Sequence, residues 1–156
     1  MNENWSRWIR ASIFKHFDDK RKGVHVFVEG SERTTSGKDQ WAEIRFDGPF
    51  ARENSKDCWE LTIEINVLIE SILNKDNLYV IEKPIGIMCA AFERNIIVYR
   101  YGDGPDDDQS ILGCLQLLVN DPEGDGIMVS RFGQIEPDTN LEAATIEGHY
   151  RMRLIL

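Results

Sequence analysis

The sequence predicts an α+β domain, a mostly antiparallel sheet covered by an N-terminal helix and a second short helix. Two long stretches carry the sheet. In Cys58 to Ile69 the odd positions Trp59, Leu61, Ile63, Ile65, Val67 and Ile69 are apolar while Glu60, Thr62, Glu64 and Asn66 are polar, the two-residue period of a strand with one dry face. At the other end Ile146, Tyr150, Met152 and Leu154 alternate with Glu147, His149, Arg151 and Arg153. The helix is announced by Trp5, Trp8, Ile9, Ser12, Ile13, His16 and Phe17 at i, i+3, i+4 spacing. All 156 residues are expected in one domain.

The first helix should span residues 4 to 17, with Asn4 as its cap and its aromatic stripe packed on the sheet. Lys20, Arg21 and Lys22 lie near the negative end of its dipole, and Gly23 allows it to stop. A first strand follows over 24 to 28, then a polar loop, 30 to 40. That loop has six residues between Gly30 and Gly37, too many for a phosphate loop. A second strand is expected from Trp41 to Asp47, closed by Gly48-Pro49, before the charged loop 51 to 57. These elements suggest an antiparallel meander with extended tips.

The long strand has an ambiguous end, because Ile65, Leu68, Ile69, Ile72 and Leu73 also fit a helix. Strand to Asn66 or Ile69 and a short helical turn to Asn74 are expected. Pro84 should open a second helix with Ile85, Met88, Cys89 and Phe92 on one face, ended by Asn95. Strand 96 to 101 and the loop 102 to 109, GDGPDDDQ, come next. Ser110 to Val119, apolar on both sides, reads as a strand buried on two faces or lying at a subunit contact. An acidic loop at 121 to 126, a strand at 127 to 132, a connection and a last strand from 144 to 156 complete the chain.

Lys and Arg number 18 against 27 Asp and Glu, a net charge of −9. Such a surface repels phosphate backbones and disfavours sequence-independent nucleic-acid binding. Three scattered cysteines outside any CxxC pair read as small core residues in a reducing compartment. The N-terminus lacks the unbroken apolar segment of a secretion signal, and no run reaches the ~18 apolar residues of a membrane span. No membrane partner is expected.

Chemistry is poorly served. His16, His25 and His149 occupy no nucleophile–base motif, and no cysteines or histidines have zinc spacing. Asp121, Glu123 and Asp125 imitate half a calcium loop, but Phe132 stands where the bidentate glutamate belongs. Asp103, Asp106, Asp107 and Asp108 read as a solvated turn before a cation site. Glu60 and Glu64 read as wet-face charges. No catalytic residue, cofactor or metal is assigned.

The order of elements, a long strand opening Trp59-Glu60-Leu61 and a closing HYRMRLIL resemble the tail terminator and tail completion proteins of tailed bacteriophages. The likeness covers residues 5 to 75 and 141 to 156, and residues 76 to 140 depart from it. It implies a structural subunit, not an enzyme, that forms a homo-oligomeric, hexameric ring at the head-proximal end of the tail. There it would end tube polymerisation, contact tail tube and neck or head-closure proteins, and let DNA pass its acidic lumen without specific binding. The location implied is the virion, after assembly in the host cytoplasm. Lys38, Arg52, Lys56, Asp103, Asp106, Asp107 and Asp108, on the loops 30 to 40, 51 to 57 and 102 to 109, are the interface or lumen candidates. A small acidic adaptor, or a metal-dependent enzyme using the Asp-rich loop, are the alternatives.

Overall fold

A computed structural model describes residues 2–119, 126–134 and 140–155. Their elements are α1 (Trp5–Asp19), β1 (His25–Val28), β2 (Gln40–Ser55), β3 (Cys58–Ile72), α2 (Glu82–Ala91), β4 (Asn95–Tyr99), β5 (Ile111–Leu117), β6 (Ile127–Gln134) and β7 (Leu141–Ile155). The fold is α+β. One sheet runs β1-β2-β3-β7-β5-β4, with β6 also paired to β7.

Its centre is the antiparallel pair of β3 and β7, in unbroken register from Cys58↔Ile155 to Ile72↔Leu141. Alternation along both strands produces this. Leu61, Ile63, Ile65, Val67 and Ile69 face inward, as do Ile146, Tyr150, Met152 and Leu154. One face is therefore dry, and the opposite face carries the charged and polar residues.

Both helices pack on the dry face. α1 buries Trp8, Ile9, Ile13 and Phe17, and α2 buries Ile85 and Met88. Phe92 bridges them: its ring meets Phe17 edge-on at 5.0 Å and stacks on Tyr150 at 6.5 Å. Tyr150 is fully buried, so its hydroxyl needs a partner. It donates to the Glu93 carbonyl at 2.8 Å. Ser12 Oγ accepts from the Tyr99 amide at 2.8 Å, so α1 occupies an outward-facing backbone group of the edge strand β4.

Several expectations are corrected. β1 pairs β2 in parallel, so the N-terminal strands are not an antiparallel meander. β2 continues past Gly48-Pro49 to Ser55, and the expected loop 51 to 57 is mostly strand, closed by a turn at 56–57. A register shift between Asp47 and Phe50 absorbs Pro49, whose missing N–H is tolerated at such an irregularity. β3 reaches Ile72 without a helical turn, because β7 pairs with it to the end. Pro84 is the third residue of α2, not the first, and that helix ends at Ala91 rather than Asn95. Asn4 makes no side-chain cap; Asn2 Oδ1 accepts from its amide instead. The calcium-like residues Asp121, Glu123 and Asp125 lie outside the described residues.

Candidate functional site

The β2–β3 hairpin runs on past β1 at the sheet's first edge. β1 pairs only with Trp41 to Ile44, so beyond Ile44 the outer side of β2 has no neighbouring strand among the described residues. Phe50 on that stretch is 59% exposed. Arg52 pairs across the hairpin with Glu60 at 3.3 Å, and Lys56 sits exposed in the tip turn. On the far side of β7, off the main strand order that ends at β4, β6 pairs with β7 alone among the described residues. It carries Met128 and Phe132, 58% and 59% exposed. Arg131 on the same strand is held by Glu82 of α2 through two hydrogen bonds of 2.8 and 2.9 Å. That pairing lowers the Glu82 pKa from its ordinary value.

The other candidate residues scatter. Lys38 lies at the opposite end of the hairpin from Lys56 and folds back on its own loop, its Nζ donating to the Thr34 carbonyl and standing 5.9 Å from the Phe27 ring. Asp103 and Asp106 are exposed. Asp108 accepts from the Ser110 hydroxyl at 2.6 Å and its amide at 3.0 Å, which lowers its pKa.

Asp107 is corrected from an interface or lumen candidate to an internal anchor. Its side chain is 1% exposed. Its oxygens accept from Arg7 Nη2 at 2.7 and 2.9 Å, from Trp8 Nε1 and from the Gly104 amide. The Arg7 hydrogen bonds, then that of Trp8, hold its pKa down at about 2. Three donor groups converge on one carboxylate and fix the loop 102 to 109 to the start of α1.

Sequence reading missed a grouping on the polar face. The register places Glu64 opposite His149 and Asn66 opposite Glu147. Glu64, Glu147 and His149 thereby bring one potential ligand atom each within 4.8 Å of the others, all half-buried. The spacing Glu147-x-His149 on one strand face was the available signal; its third member lies across the sheet. His16, by contrast, makes a structural contact, Nε2 to the Ala91 carbonyl at 2.8 Å. Burial pushes the thiols of Cys89 and Cys114 up, and all three cysteines are free.

No known family and no curated protein matches the chain. Among solved structures 21 chains match. One aligns over 94% of both chains with a TM-score of 0.53 and 16% identity. That likeness shows a shared fold. Among the described residues no helix is long and apolar enough to cross a membrane.

Proposed function

We propose that this chain is a structural ring subunit of the head-proximal end of a phage tail, which ends tube growth and joins tail to neck. The observation that carries the reading is a pair of unlike strand edges on opposite sides of the β3–β7 centre, β2 beyond Ile44 and β6, each without an outer neighbour among the described residues and each bearing large exposed apolar side chains. Phe50 marks one, Met128 and Phe132 the other. A closed ring requires a heterologous interface, in which two different patches of one subunit meet head to tail. These two strand edges supply such a pair. Fully covering an aromatic or methionine side chain is worth roughly 1.5–3 kcal/mol, so these residues contribute to association alongside the strand edges that carry them.

The acidic balance, −9 overall, suits a lumen through which DNA passes without adhering. The exposed Asp103 and Asp106 are then lumen or neck-facing candidates, and Arg52 and Lys56 at the hairpin tip are candidates for contact with the next subunit. A virion location follows from the same reading. Light scattering on the purified chain tests it: a ring-sized species is expected, and Phe50→Asp should shift it to monomer. A monomer at high concentration that also fails to assemble with tail-tube protein would contradict the proposal.

A further inference from the structure

The polar face of the β3–β7 pair holds a set of donors unlike its other surface charges. His149 Nε2 lies 2.9 Å from Glu147 Oε1 and 3.8 Å from Glu64 Oε2. Ligands bound tetrahedrally at ~2.0–2.2 Å from a zinc ion stand about 3.4 Å apart. The two measured separations bracket that spacing. Asn66 Nδ2 donates to Glu64 Oε1 at 2.7 Å, occupying one carboxylate oxygen and leaving the other toward the imidazole, as outer-shell partners of metal ligands do. Asp47 stands directly opposite Glu64 on β2. With Thr62, Glu64 and His149 it lines a groove of about 110 Å³ that gives room for a fourth ligand. Arg45, opposite Asn66 on this face, is engaged by Glu43 at 2.6 Å.

We propose that Glu64, Glu147 and His149 form a site for a first-row divalent cation, of which zinc is the fitting probe. Two carboxylates and a neutral imidazole carry two negative charges, which one such cation balances. An imidazole ligand favours zinc over magnesium or calcium, which prefer oxygen alone. Binding uses the Nε2 lone pair of the neutral imidazole, whose single ring proton then sits on Nδ1, and the contact between Nε2 and Glu147 Oε1 gives way to two bonds to the ion. The bound ion would tie β3 to β7 beside the hairpin. The site stands whether or not the chain forms a ring.

Calorimetric titration of tag-free, metal-stripped protein with zinc chloride tests it, with cobalt absorption as a second readout of an imidazole–carboxylate environment. One equivalent should bind, raise the melting temperature and weaken as the pH is lowered from 8 to 6, where protons compete for the ligands. His149→Ala should lower zinc affinity by tenfold or more, Glu64→Gln and Glu147→Gln should each weaken it, and His25→Ala should leave it unchanged. The two glutamine variants, at half-exposed positions, keep the test valid should the alanine variant fold poorly. Absence of zinc binding, or binding that survives both Glu64→Gln and Glu147→Gln unaltered, would overturn the site.

Discussion

Gly148 offers a steric test of the central strand pair. It lies on β7 between Ile65 of β3 and Ile127 of β6. A Cβ there would stand 2.7 Å from Phe92 Cδ1, 2.9 Å from Cε1 and 3.5 Å from Leu117 Cδ1. Carbon pairs rest at ~3.5–4.0 Å, so the methyl overlaps the Phe92 ring by most of an ångström. That ring is 4% exposed and wedged between Phe17 and Tyr150. Overpacking of this kind costs about 1–3 kcal/mol, against a backbone gain of roughly 0.5–1 kcal/mol for replacing glycine by alanine in a strand. Gly148→Ala should therefore lose ~0.5–2 kcal/mol, which for a chain of this length lowers the melting temperature by about 1–8 °C. Gly86 is the control. It sits in α2 with nothing within 4 Å of its Cβ position, and Gly86→Ala should gain about 0.5–1 kcal/mol. Urea unfolding at unchanged slope, paired with thermal melts, measures both. A Gly148→Ala protein as stable as the parent would refute the placement of Phe92 over β7.

Ile65→Ala, at a fully buried position in the sheet centre, should cost roughly 2–5 kcal/mol by cavity formation, read by urea titration. Tyr150→Phe removes the hydrogen bond to the Glu93 carbonyl and should cost about 1 kcal/mol in the same measurement. Asp107 has a folded pKa near 2, below the ~3.9 of an unfolded chain. Its stabilisation is present above pH ~3.9 and is lost as the pH falls through about 2. Asp107→Asn should flatten the acid limb of the stability profile there, and an unchanged limb would show that the anchor carries no charge-linked stability.

The two strands with the strongest alternation were legible because one buried face imposes a strict period of two. Their ends were not. Ile65, Leu68, Ile69 and Ile72 satisfy helix and strand templates alike, and pairing with Leu141 to Gly148 settles the matter in favour of strand. Gly48-Pro49 has the composition of a turn, yet the partner residues Leu61 to Glu64 carry β2 through it by a register shift. β1 looked like the first arm of a hairpin, and its parallel pairing is a long-range choice that no local pattern encodes. Asp107 is indistinguishable in sequence from Asp106 and Asp108. Arg7 and Trp8, a hundred residues upstream, single it out. Glu64 and His149 likewise meet only through strand register.

The head-to-tail interface is tested most directly by mixing two damaged subunits. Phe50→Asp spoils one edge, and Met128→Asp with Phe132→Asp spoils the other, while each protein keeps the complementary edge intact. Each variant alone should be monomeric, and an equimolar mixture should give a heterodimer of two 18.0 kDa chains that grows no further. A mixture that stays monomeric while the parent forms rings, or either variant assembling alone as the parent does, would contradict assembly through these two edges.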